Sequence, residues 1–217
     1  MFGCNEMAQY IKQNKLVPVV LVMFLTILLF GSGIFAATAA GPMEQLQKSV
    51  DELLRILQSQ ELKEPDKKSE RKQLIDNATN EIFDFREMAR SSLGQTWDTL
   101  TSEEQDQFVG LFTRLIEQRY KGKLDAYDNQ KIIYKKELIN GKKALINTAV
   151  IDKDLEILID YRLKENQGKW LVYDLKIENV SLISNYRRDF DSIIRKEQFA
   201  GLVEKMSKQL EKSDTAN

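Results

Sequence analysis

No histidine occurs anywhere in the 217 residues, and the one cysteine, Cys4, stands in a basic leader. A Ser-His-Asp or Cys-His arrangement is therefore impossible, as is any histidine-bearing metal site. No Gly-rich phosphate loop, EF-hand spacing or HExxH run is present. Paired carboxylates and a Ser-Lys nucleophile remain formally open, as in any chain. Asp174, between Tyr173 and Leu175, is the carboxylate to examine for burial, and a structural hydrogen bond is its simpler role. Arg187 and Arg188 have two readings, contact with a phosphate or a protein partner, or surface ion pairs with Asp189 or Asp191. Lysine plus arginine (32) balance aspartate plus glutamate (33), so the chain has no electrostatic footprint for a nucleic acid. The reading is non-enzymatic, with no cofactor and no metal. What the chain has in quantity is apolar surface placed at regular intervals.

That surface is carried by elements of two periods. Pro42 can open a helix whose stripe is Leu46, Val50, Leu53, Leu54 and Leu57, ending before Pro65. The charged stretch 63–72 reads as a solvated turn into a second, short helix. Phe83, Met88 and Leu93 look like core anchors, and Gly94 like a helix C-cap. Thr101 and Glu104 form a capping box, which predicts a long helix with Phe108, Leu111, Phe112, Leu115, Ile116, Tyr120 and Leu124 on a face spaced to lie over a sheet. From Lys131 the period falls to two, giving four strands at 131–138, 144–151, 155–163 and 169–178. Their links are too short for crossover helices, so they are antiparallel neighbours. In the third strand Leu155, Ile157, Ile159, Tyr161 and Leu163 share a face; in the fourth, Leu171, Tyr173, Leu175 and Ile177 do. After Asn179 the spacing returns to helical, with Ser181 as N-cap and Leu182, Ile183, Tyr186, Phe190, Ile193 and Ile194 on one stripe, a break near 196–198, and a further stripe from Phe199 to Leu210. The expected fold class is α+β: a four-stranded antiparallel sheet covered on one face by N- and C-terminal helices. Periodicity alone leaves open whether these layers close on a filled core or enclose an apolar pocket.

At the N-terminus, Lys12 and Lys15 precede an apolar run from Leu16 to Phe30, followed by the small residues Ala36 to Ala40. This is the pattern of a secretory signal peptide occupying 1–39, cut after Ala37-Thr38-Ala39. An uncleaved anchor helix is the rival reading, since the run approaches the length that spans a bilayer. Cleavage would leave a mature domain of 40–217 without cysteine.

Two blocks carry a family resemblance. Trp170, Val172, Tyr173 and Asp174, then Val180-Ser181-Leu182, then Asn185-Tyr186-Arg187 and Phe190 resemble the C-terminal signature of the MlaC-like family of toluene-tolerance-type proteins. Phe83-Asp84-Phe85, Met88-Ala89, Leu93-Gly94 and Trp97 resemble a second block of the same family. Asn179 departs from an expected glycine, although asparagine also tolerates left-handed backbone angles. The resemblance runs from about Phe83 to Leu202. It implies a pocket rather than a filled core, and a periplasmic phospholipid carrier in an ABC-type transport system that maintains outer-membrane lipid asymmetry. The implied partners are a phospholipid ligand, an inner-membrane MCE-domain complex with its ABC transporter, and an outer-membrane lipoprotein complex. Acyl chains would be lined by Ile157, Ile159, Tyr161, Leu171, Tyr173 and Leu175 from the sheet, with Phe112, Leu115, Val180, Leu182 and Tyr186 from the covering elements. Gly94, Gly122 and Gly201 are the candidate flex points. Rival readings keep the fold with another amphiphile such as a hopanoid, make the chain a periplasmic adaptor with a filled core, or make it a hydrolase using Asp174.

Overall fold

Pro42 has no amide hydrogen to lose in the first turn of a helix, and α1 (Pro42–Gln58) starts on it, burying Leu46, Val50, Leu53, Ile56 and Leu57. The computed structural model describes residues 40–153 and 155–215, so the expected leader and the segment before its cleavage point lie outside the described residues. Two short 3-10 turns, Glu61–Lys63 and Pro65–Lys67, lead into α2 (Lys68–Ile82). The carboxylate of Asp84 accepts the Glu87 amide at 2.9 Å and so starts α3 (Phe85–Leu93). Gly94 ends it at φ 58, a left-handed angle that side chains resist. After a 3-10 stretch, Gly94–Thr99, the expected capping box opens α4 (Ser102–Asp125): the Glu104 amide donates to Thr101 Oγ1 at 3.2 Å, and the Thr101 amide to Glu104 Oε2 at 2.9 Å.

The sheet follows as β1 (Lys131–Asn140), β2 (Lys143–Asp152), β3 (Leu155–Asn166), β4 (Lys169–Ile177) and β5 (Val180–Ser181). Among the described residues five strands lie in sequence order, every neighbour antiparallel, where the sequence predicted four. The extra strand is two residues long, too short to show alternation. It folds back through Glu178 and Asn179, both left-handed (φ 48 and φ 65), so the asparagine keeps the turn that a glycine would make.

The inner face of the sheet carries Tyr134, Thr148, Ile159 and Ile177 in one row and Ile146, Tyr161 and Leu175 in the next. One expectation fails here. Leu163 pairs with Val172 but Arg162 pairs with Asp174, so Tyr173 is an extra residue, a β-bulge in β4. The bulge shifts the phase of the strand. Trp170 and Val172 face inward before it and Leu175 and Ile177 after it, whereas Leu171, opposite Lys164, lies on the outer face. The shared face predicted for Leu171, Tyr173, Leu175 and Ile177 does not exist.

The last helix, α5 (Leu182–Thr215), is two helices joined at Gln198, which has φ 60 and ψ -179, at the position where the sequence predicts a break. It packs on α3 and α4 and meets the sheet at β4 and β5. The inner face is covered instead by α1 and α2. That occupancy displaces α4 as well: Phe108, Phe112, Leu115 and Ile116 pack among helices, and Leu124 with Tyr127 just beyond the helix reach the sheet-side cluster.

Candidate functional site

The interior consists of two apolar clusters. One lies among α3, α4 and α5, with Met88, Leu93, Phe108, Phe112, Phe190 and Leu202 at its centre. The other lies between α1, α2 and the inner sheet face, with Leu46, Ile56, Ile82, Ile146, Leu163 and Val172. Phe83 and Leu175 pack against both. Phe83 is held there because it bridges Val172 in parallel while the Asp84 amide donates to the Val172 carbonyl at 2.9 Å, tying the start of α3 to the open edge of β4. Leu175 is the first inward residue after the bulge. The junction of the two clusters is thus built by one bulged strand and the segment docked on its edge.

The candidate lining residues divide around this junction. Phe112, Leu115, Leu182 and Tyr186 belong to the helical cluster, and Tyr186 stacks edge-on with Phe112 at a centroid distance of 5.4 Å. Tyr161 and Ile159 belong to the sheet cluster, and Leu175 to both. Ile157 and Tyr173 are half-buried and join neither, and Leu171 is half-buried on the outer face. Val180 is 54% exposed. The structure therefore brings seven of the eleven into the two clusters and leaves four outside.

Sequence reasoning read Phe83 as a core anchor, as it is, but missed Tyr134 and Val172 as parts of this interior. The signal for Tyr134 was present, since Ile132 and Tyr134 alternate onto the inner face. Its hydroxyl matters because Tyr134 Oη and Tyr186 Oη are buried without a hydrogen-bond partner, one in each cluster. A buried phenol that donates to nothing costs free energy and marks a place where an acceptor would be welcome. Burial also raises their pKa values, Tyr186 to about 12, with Arg119 pulling the other way, and Tyr161 to about 12; Tyr134 is pushed up by burial, then by Tyr161 and Asp51. All three stay neutral donors rather than bases at ordinary pH.

Asp174 is buried and fully engaged. It accepts from Ser181 Oγ at 2.9 Å and from the Ile183 amide at 3.2 Å, and Arg162 stands 3.4 Å away, while Ser181 Oγ accepts the Ser184 amide at 3.0 Å. This is the structural role expected for it and the cap expected of Ser181. Arg187 is also structural: its guanidinium donates to the Ser91 carbonyl in the last turn of α3, a favourable site for a cation. Arg188 pairs with Asp189 at 3.8 Å, as the surface reading expected. Beside them an open groove of about 540 Å³ runs along α5, lined by Ser184, Arg187, Arg188, Asp191, Arg195 and Lys196. Among the described residues no group of three or more Cys, Asp and Glu side chains is gathered to hold a metal, and no helix is long and apolar enough to cross a membrane.

Comparison with known proteins converges on one family. The model of the MlaC protein family matches residues 47–208. The chain is 25% identical over 177 residues to the intermembrane phospholipid transport system binding protein MlaC of Haemophilus influenzae, covering 79% of this chain and 83% of that one. Its fold resembles that of a phospholipid-binding protein from Ralstonia solanacearum solved in complex with a phospholipid, with a TM-score of 0.73, 24% identity, and coverage of 81% and 99% of the two chains.

Proposed function

The chain belongs to the MlaC protein family, and from that premise we propose that it is a periplasmic carrier that binds the acyl chains of a phospholipid between its two apolar clusters and shuttles the lipid between membrane complexes. The single observation that carries this reading is the junction at Phe83 and Leu175, where a helical cluster and a sheet cluster meet through few side chains rather than one continuous core. Splaying the clusters about that junction opens an apolar cavity between them without unmaking either. Each methylene then withdrawn from water contributes about 0.8 kcal/mol, so two acyl chains can compensate for the separation of protein surfaces.

Tyr134 and Tyr186 would gain acceptors in this state, the ester oxygens of a glycerolipid being the chemically suitable ones. The charged headgroup stays at the mouth, since burying it unpaired is costly, and selectivity among headgroups is correspondingly weak. In this reading residues 1–39 are a signal peptide removed before Ala40. The exchange partners are an outer-membrane lipoprotein complex and an inner-membrane MCE-domain complex whose ATPase supplies the energy. The relatives named above support the phospholipid and the intermembrane transport system.

Native mass spectrometry of 40–217, purified without detergent and followed by organic extraction, tests the proposal. Co-purifying diacyl phospholipid near one per chain supports it. A hopanoid or other isoprenoid in its place would keep the carrier and change the cargo. A single bare mass that persists after incubation with phospholipid vesicles would sink it in favour of a filled-core adaptor.

A further inference from the structure

We propose that the tip of the β1–β2 hairpin is a wedge that seats this protein on anionic bilayer surfaces. Leu138 and Ile139 are 48% and 55% exposed, large apolar side chains at the end of an edge strand. Leu138 pairs with Leu145 and Ile139 with Ala144, so as strand neighbours they project from opposite faces of the ribbon. No single packed layer can cover both.

Four lysines surround them: Lys135 and Lys136 on β1, Lys142 in the turn and Lys143 at the start of β2. The lone acid between, Glu137, is turned inward and accepts the Met43 amide at 2.7 Å. Lys135 pairs with Glu156, and Lys142 with Glu165 at 3.3 Å, whereas Lys136 and Lys143 are exposed and, among the described residues, in no ion pair. A chain with a net charge of -1 therefore concentrates cations around a strand end that exposes two large apolar side chains.

This combination matches a membrane interface better than a protein groove. An interface accepts apolar side chains from both faces of a ribbon while lysine stems lie along it with their ammonium groups among lipid phosphates. The first described residues lie at the same end, because Gln45 Nε2 donates to the Gly168 carbonyl and Gln45 Oε1 accepts the Trp170 amide. The β1–β2 tip, the β3–β4 turn and the start of α1 thus lie at one end of the sheet.

Flotation of residues 40–217, which contain both clusters and every contact described above, with vesicles of phosphatidylethanolamine and phosphatidylglycerol provides the test. The expected result is that wild type floats with these vesicles and not with pure phosphatidylcholine. The pair Lys136→Glu with Lys143→Glu lowers the bound fraction about tenfold, the pair Leu138→Ser with Ile139→Ser at least about threefold, and salt weakens binding. Each variant should melt within about 3 °C of wild type, because the substituted side chains are exposed. A wild type that stays unbound, or tip variants that float as wild type does, would overturn the proposal. So would equal retention on immobilised polyglutamate and on vesicles, which would assign the tip to an acidic protein. Lipid loading read by native mass on the same samples separates this idea from the carrier reading: variants that keep their lipid but lose flotation affect the tip alone.

Discussion

At the scale of single residues, Asp174 and Arg187 are engaged in hydrogen bonds within the fold, and the side chains left with unmet polar atoms include two phenols. Asp174 was legible in the sequence as a carboxylate among apolar neighbours, and its burial and hydrogen bonds follow. Replacing it with alanine leaves Ser181 Oγ and the Ile183 amide without their acceptor and should cost about 2 kcal/mol in urea unfolding. The inward face of Tyr134 was legible in its alternation with Ile132, but its unpartnered hydroxyl was not, because nothing in an alternating strand says whether a tyrosine hydroxyl finds a partner. Tyr134→Phe and Tyr186→Phe remove hydroxyls that donate to nothing, so lipid-free stability should hold or rise, while lipid loading falls about twofold or more if the ligand accepts from them. A rise in loading would count against that role. Alkaline pH offers a separate check. Tyr161 and Tyr186 have folded pKa values raised from 10.0 to about 12, so the unfolded chain loses these protons first. Stability is intact below pH 10 and declines as pH rises toward 12, and Tyr161→Phe should flatten that decline in chemical denaturation series.

At the scale of elements, caps and breaks were read more securely than faces. The Thr101–Glu104 box, Gly94 and Ser181 are local signals, decided by a few adjacent residues, and all three hold. The face of β4 was misread because one inserted residue, Tyr173, reverses the phase of everything after it, and a bulge has no signature in alternation when apolar residues stand on both sides of it. The place of α4 was misread for a different reason: its stripe fits a sheet or helices equally well, and α1 and α2 had taken the sheet. The break in α5 rests on Gln198, whose φ 60 and ψ -179 fall in a region that is nearly glycine's alone. Gln198→Gly should therefore stabilise the fold by about 1 kcal/mol, measured as a higher midpoint in urea. The same kink brings Glu197 over Gly201, where an added Cβ would lie 2.4 Å from Glu197 Cβ. Gly201→Ala should destabilise the C-terminal helix, seen as a lower melting temperature, and an unchanged one would mean the kink relaxes freely.

At the scale of the whole molecule, the sequence showed an α+β layer pair but not how its interior divides. That division depends on which helix reaches the sheet first, a long-range outcome that stripes and caps do not encode. Two clusters joined at Phe83 and Leu175 give the interior a seam, and the carrier proposal stands on the opening of that seam. Leu175→Trp should fill the junction and lower lipid occupancy by about fivefold or more in native mass spectra, at a modest stability cost of about 1–3 kcal/mol. The most direct measurement is photo-crosslinking of residues 40–217 loaded with a phospholipid that carries a diazirine midway along an acyl chain, with the adducts mapped by peptide sequencing. The account predicts adducts at the junction and in both clusters, on peptides containing Phe83, Tyr134, Leu175 and Tyr186. Adducts confined to exposed positions such as Val180 and the hairpin tip, with none in the interior, would contradict it.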